Sequence, residues 1–202
     1  MITAKRTFET IINQAKISEG LYSYLSAQKV PIDASDLLRW QWVLVISALD
    51  KYIHDIVRIG MIQEYQGKRA RTEKFKTFRI NMDIYDNLSS SIAPEMALEK
   101  EIIHQHSILA FQHPDKISDA LSFIWTEQHK WEAISRKMAT PISAKDIRTK
   151  LNNIVVRRNQ IVHEGDCFTL SVPFQQQPIS ETDVNDVITF VTELVQAITS
   201  LI

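Results

Sequence analysis

The sequence predicts an all-α protein built as one domain, and three observations predict it. Apolar residues recur at helical spacing over long runs. Only four Gly and six Pro interrupt 202 residues, which suits long helices with few tight turns. Ser and Asp residues stand just before several of the apolar runs, where helix caps belong. The apolar share, 45%, is ordinary for a globular chain and enough for a sizeable core.

In chain order, the first helix is expected from Thr3 to Gln28, with Phe8, Ile11, Ile12, Ala15, Leu21, Tyr22 and Leu25 on its apolar face. Val30-Pro31-Ile32 breaks it, because Pro31 cannot continue a helix. Asp33 or Ser35 then caps a second helix reaching Gln66. This is the most apolar stretch of the chain: Trp40 to Leu49 is apolar almost all round, as a central, buried element would be. Ser47, Asp50, Lys51, His54 and Arg58 step along it by three or four and form a polar seam. The seam reads either as a solvated side or as the wall of a cleft.

Residues 67 to 94 change character and read as a loop-rich basic insertion. Lys68, Arg69, Arg71, Lys74, Lys76 and Arg79 face one acid, Glu73, with Phe75 and Phe78 interleaved. Charge for phosphates beside flat rings for bases suits single-stranded nucleic acid. A solvated loop anchored by its Phe residues has the same composition. Asn87 to Pro94 follows as a polar linker, then helices at Glu95–Phe111, Asp115–Trp125 and Glu127–Met138. Trp125 and Trp131 are expected as core anchors.

Ser143 caps the next helix, with Asp146 three residues on, and Gly165 is placed to end it. On this helix Ile147, Leu151, Ile154, Val155, Ile161 and Val162 make one stripe, and Arg158 falls near its middle. A guanidinium is always charged and is seldom buried without a partner. Either it pairs with a core carboxylate, Asp50 being one candidate, or it is held for chemistry. Asn159 and His163, four apart, share a face at the edge of the stripe. His163 lies in the last turn, where the helix dipole favours imidazolium. Lys145, Arg148, Lys150 and Arg157 add positive charge to the outer face. Cys167 to Phe174 is expected as a short extended segment, 175–180 as a loop. Ser180 caps a last helix with a broad Val/Ile/Leu face, which is expected to pack centrally or against a second copy.

The run R-N-Q-I-V-H, Arg158 to His163, resembles the R-x4-6-H motif of the HEPN superfamily (higher eukaryotes and prokaryotes nucleotide-binding domains). The residue after the Arg there is Asn, Asp or His, and here it is Asn159. Ile46 to Val57, ISALDKYIHDIV, resembles the long second helix of the RiboL-PSP branch. The resemblance implies a helical bundle of HEPN type over residues 1–202, with extra helices and the basic insertion. It further implies a metal-independent endoribonuclease, a toxin or defence effector, acting as a homodimer with no cofactor. Arg158, Asn159 and His163 would be catalytic, with Asp50 and His54 accessory. Lys68, Arg69, Arg71, Lys74, Lys76 and Arg157 would hold RNA. An antitoxin or nucleotidyltransferase is the implied protein partner. The alternatives are a catalytically silent HEPN module that binds nucleotide or a partner protein, and a purely structural helical dimer.

Other classes find little support. Net charge is −1, so nothing pulls the whole chain toward polyanions, and any such site must be local. One cysteine, Cys167, permits no internal disulfide and fits a reducing, cytoplasmic setting. The N-terminus lacks the apolar core of a secretory signal, and no run has the length of a membrane span. His104, His106, His113 and His129 offer no H-x-x-x-H pair and no Cys partner, so no metal is expected. There is no P-loop, no G-x-G-x-x-G and no G-x-S-x-G.

Overall fold

A computed structural model describes residues 1–28, 31, 33–90, 92–168 and 175–202. Among these the chain forms nine helices and no strand. They are α1 (Ile2–Ala27), α2 (Ser35–Tyr65), α3 (Glu73–Lys76), α4 (Met82–Ser90), α5 (Pro94–His106), α6 (Pro114–Leu121), α7 (Lys130–Ser135), α8 (Ala144–Glu164) and α9 (Glu181–Thr199). Of the expected break after the first helix, Val30 and Ile32 lie outside the described residues, as do 169–174 of the expected extended segment. Cys167, at its start, makes a single bridge to Gln176.

α2 is the hub. It packs on α1, α5, α6, α8 and α9, and that is why Trp42 to Ile56 reads as apolar on most sides. Asp33 starts it by accepting the Ser35 N–H at 2.8 Å, and this bond holds its carboxyl below the usual range. Phe8 of α1 meets Tyr52 edge-on, ring centroids 6.0 Å apart. The Tyr52 hydroxyl reaches Thr199 at 2.7 Å, and burial pushes it up to about 12. A Cβ on Gly60 would stand 2.5 Å from Ile124 Cγ2, so the missing side chain lets α2 lie against the end of α6.

The last helix resolves an alternative left open by its sequence. Val184, Val187, Val191, Leu194, Val195 and Ile198 are all buried inside the chain. The broad face therefore packs centrally, with Leu201 and Ile202 half-buried at its end. The apolar face of α1 is shorter than its sequence suggests. It is buried through Ala15, after which Leu21 is exposed and Tyr22 and Leu25 only half-buried.

Three helices in the middle end sooner than their sequences predict. α5 stops at His106 because the chain must turn for the Phe111 N–H to reach Asp50, at 2.6 Å. α6 stops at Leu121 and tightens into three-residue turns through Ile124. Carbonyls of Asp119, Phe123 and Ile124 accept hydrogen bonds from side chains of residues 69–74. α7 begins at Lys130, where Glu127 accepts the His129 N–H at 2.8 Å.

Candidate functional site

α8 carries the motif. Ser143 opens it by accepting the Asp146 N–H at 3.1 Å. Gly165 closes it at φ 63°, in the left-handed region where glycine carries no Cβ penalty. Ile147, Leu151, Ile154 and Val155 are buried on one line of the helix. Trp42 of α2 donates its indole N–H to the Ile154 carbonyl at 3.0 Å, fixing α8 against the hub. The line then emerges: Arg158 and Ile161 are half-buried and Val162 is exposed. The motif thus sits where the stripe leaves the core.

The two adjacent arginines have opposite fates. Arg157 turns toward Asp166, a carboxylate with no exposed surface. Its Nε lies 2.7 Å from Oδ1 and its Nη2 donates to Oδ2 at 2.8 Å. Arg39 of α2 donates from Nε to the same Oδ2 at 2.9 Å and from Nη2 to the Gln177 carbonyl at 2.8 Å. The Gln177 N–H returns to the Asp166 carbonyl at 2.7 Å. One buried acid so bolts the end of the motif helix to the start of α2. The expectation of Arg157 on the outer face is corrected here: its guanidinium is committed to a structural ion pair. Asp166 went unnoticed in the sequence because it lies beyond the helix stop, in the left-handed region at φ 59°.

Arg158 has no such partner. Its Nη1 donates only to Asn159 Oδ1, at 3.1 Å, and its Nε is sheltered from solvent with nothing to bond. Among the described residues no carboxylate pairs with it. His163 stands exposed one turn on. At about 100° per residue, Arg158 and His163 point roughly 140° apart around the helix, while Asn159 and His163 point the same way. A single copy of α8 therefore does not aim Arg158 and His163 at one point.

The sequence model of RiboL-PSP-HEPN matches residues 8–202, nearly the whole chain. The chain belongs to the RiboL-PSP-HEPN family. Its all-helical bundle and the late position of the motif helix agree with that membership. No curated protein and no solved structure matches it.

In this HEPN domain Asp50 and His54 lie apart from the motif. Asp50 Oδ1 accepts the Phe111 N–H and Oδ2 accepts from Gln112 Nε2 at 3.2 Å. His54 Nε2 is 3.7 Å from Asp50, and its ring leans on Phe111 at 4.4 Å. Both line a cleft of about 490 Å³ with Lys51, Arg58 and His106. Arg158 does not line that cleft, and no bond joins it to Asp50, so the Asp50–Arg158 pair that the sequence offered as one alternative does not form. His106 is buried among His54, Phe78, Phe111 and Phe123. Burial, with His54 and Lys74 nearby, drops it to about 4.

The basic insertion of the HEPN domain is more ordered than a loop. Asn81 accepts the Ile84 N–H at 2.9 Å and starts α4, which runs into the expected linker and packs on α5. Of the cations before it, Arg69 and Lys74 are half-buried, while Lys68, Arg71, Lys76 and Arg79 are exposed. Arg69 donates to the Ile124 carbonyl at 3.3 Å, and Thr72 Oγ1 to the Phe123 carbonyl at 2.9 Å. Lys74 donates to the Asp119 carbonyl at 2.9 Å, pairs with its carboxylate, and lies 4.5 Å over the Phe123 ring. Together they close the carbonyl end of α6, where the helix dipole favours positive charge. Arg71 reaches the Glu64 carbonyl at 3.4 Å. Burial pushes the Glu64 carboxyl up, and the Thr72 N–H at 2.9 Å with Arg69 and Arg71 pulls it partly back. Lys76 pairs with Glu73 at 2.6 Å on the surface. Phe75 and Phe78 are packed against the core and are not displayed as base platforms.

Proposed function

We propose that this HEPN domain is an endoribonuclease that cuts RNA without a metal, as a homodimer. The observation that carries the reading is Arg158. Its neighbour Arg157 and the facing Arg39 both pair with Asp166, whereas Arg158 is half-buried with no acid to balance it among the described residues. A sheltered guanidinium left without a counter-ion is a ready phosphate ligand.

In the proposed reaction the ribose 2′-oxygen attacks the adjacent phosphorus. A new O–P bond forms, the bond to the 5′-oxygen breaks, and the products carry a 2′,3′-cyclic phosphate and a 5′-hydroxyl. His163 takes the 2′-hydroxyl proton or returns one to the departing 5′-oxygen, as an imidazole near neutral pH does. Arg158 stabilises the charge on the phosphorane. Asn159, on the same line as His163, orients the imidazole or the phosphate. Since Arg158 and His163 diverge on one helix, a two-fold dimer supplies the converging set, Arg158 of one copy with His163 of the other. Support for a contact here comes from the apolar surface beside the motif: Trp40 is 53% exposed and Val162 46%. They line a hollow of about 350 Å³ with Val43 and Ile161. The biological setting proposed is that of a cytoplasmic toxin or defence effector held in check by an antitoxin or nucleotidyltransferase.

The test is cleavage of RNA with EDTA present, with DNA as the negative control. His163→Ala is expected to lower the rate by about 10² to 10⁴, and Arg158→Ala by about 10² to 10³, each with unchanged helical circular dichroism. An equimolar mixture of the two inactive variants should recover part of the activity if the dimer shares its sites. No cleavage by the parent protein would favour the second reading, a silent module that binds nucleotide or a protein, which the divergence of Arg158 and His163 within one chain also fits.

A further inference from the structure

α8 has a second polar feature on the line that carries His163. Lys145 lies 18 residues before His163, five turns of helix, and so points the same way. Arg148, Thr149, Asn152, Val156 and Asn159 fill the turns between them at steps of three or four. Val156 is 44% exposed, and Lys145, Arg148, Thr149 and Asn152 are exposed as well. This face of α8 is therefore an open track that ends at the motif.

The far end of the track is a cleft of about 470 Å³ between α8 and the start of α6. Lys145, Arg148 and Asn152 form its α8 side, and His113 and Lys116 form the other. His113 Nδ1 and Asn152 Oδ1 lie 3.3 Å apart and join the two walls. Three cations line the cleft against one acid, Asp115, which pairs with Arg148 at 2.9 Å. Among the described residues Lys116 and Lys145 have no side-chain partner. In a chain whose net charge is −1, this is a local excess of two positive charges. Arg148 and Asp115 are 50% and 85% exposed, so their pair is weak and open to exchange with another anion.

We infer that this cleft holds phosphates of the RNA strand being cut, outside the reacting phosphodiester. The inference rests on the ribonuclease reading for the identity of the strand. Its reach follows from the helix: 18 residues at 1.5 Å make about 27 Å between Lys145 and His163. A stacked strand spaces its phosphates at about 3.4 Å, so at most about eight nucleotides bridge the two ends. Lys145, Lys116 and, after release from Asp115, Arg148 each contact a phosphate. Asn152 and Thr149 offer neutral hydrogen bonds along the way, as backbone-positioning residues do.

The experiment uses single-stranded RNA carrying 2′-O-methyl groups, longer than that span, which binds but offers no nucleophile. Lys116→Gln with Lys145→Gln should weaken binding about tenfold and lower the slope of log affinity against log salt by about 1.4, the loss of two phosphate contacts. Asp115→Asn should strengthen binding, since it frees Arg148, and a merely structural role for the pair predicts the opposite. Cleavage of a dinucleotide, too short to reach the cleft, should be the same in parent and double variant. Unchanged affinity and slope in the double variant would overturn the inference, as would absence of binding by the parent protein. Binding that needs the two lysines in a protein that cuts no RNA would sink the ribonuclease reading and leave the cleft standing.

Discussion

The segment from Lys68 to Arg79 and the exposed face of α8 carry similar cations in different company. In the first, Arg69, Arg71 and Lys74 each donate to a carbonyl at the ends of α2 and α6, the Phe residues between them pack against the core, and Lys68 and Arg79 stay exposed. In the second, Lys145 has no side-chain partner among the described residues, and Arg148 holds one highly exposed acid. The motif repeats the contrast at adjacent positions, Arg157 held in an ion pair with a buried acid and Arg158 without one among the described residues. The lesson is that a count of basic residues measures charge, while availability depends on which carbonyls and carboxylates the fold brings near. A helix C-terminus also attracts cations, and the denser basic run of this chain lies against one.

The largest effect that sharpens the contrast is expected at Asp166. Replacing it by Ala leaves Arg157 without a carboxylate and Arg39 with only the exposed Asp36, at 3.3 Å. Removing one member of a buried ion pair costs about 3 to 5 kcal/mol, and urea unfolding should show a loss of that order. Arg158→Ala should change stability by less than about 1 kcal/mol, because no counter-ion is stranded. Equal losses at Asp166 and Arg158 would erase the distinction between structural and free guanidiniums.

Acid sensitivity is expected next, on the side of the basic segment. His106 is dropped to about 4 in the folded chain, against about 6.5 when unfolded. Between those values the unfolded state binds more protons, so stability falls as pH falls from 6.5 toward 4, by up to about 3 kcal/mol. His106→Phe should flatten that part of the stability–pH curve, read by thermal unfolding at a series of pH values. A parent protein equally stable at pH 4.5 and pH 7 would refute the assignment.

The sequence made the frame legible and the company of each side chain much less so. The starts and ends of α1, α2 and α8 follow from apolar spacing and stop residues to within a residue or two, and the start of α9 follows from its cap, because those signals are local. α4 escaped: none of its residues is buried, and only Ile84 and Leu88 are half-buried. Such a satellite helix carries too little apolar pattern to register. Arg158, Asn159 and His163 stand out in the sequence as a short local motif, and cleavage by their variants tests whether they form the site. The inward turn of Arg157 was not, since its partner Asp166 arrives only after the chain has reversed at Gly165. Asp50 is tied to Phe111, 61 residues away, and helix phase says nothing about a loop that distant. The α8 cleft needed α6 beside it before Lys116 and Lys145 formed one patch.

The smallest effect is the most direct test of the contrast. Lys74→Glu with Lys76→Glu reverses two charges in the segment richest in them. Were that segment the RNA grip, affinity for the 2′-O-methyl strand would fall steeply and the salt slope would flatten. On the structure, Lys74 instead loses a surface ion pair with Asp119 and a cation–π contact with Phe123, worth together about 1 to 2 kcal/mol. Glu at position 74 also faces Asp119 and opposes the dipole of α6. Lys76 gives up only its pair with Glu73, both side chains largely exposed. The expected outcome is a modest fall in thermal stability with RNA affinity within about twofold of the parent and an unchanged salt slope. The Lys116 and Lys145 double variant should show the mirror image, intact stability with weakened binding. The first pair changes the net charge by −4 and the second by only −2, so weakened binding confined to the second would isolate where each cation is spent.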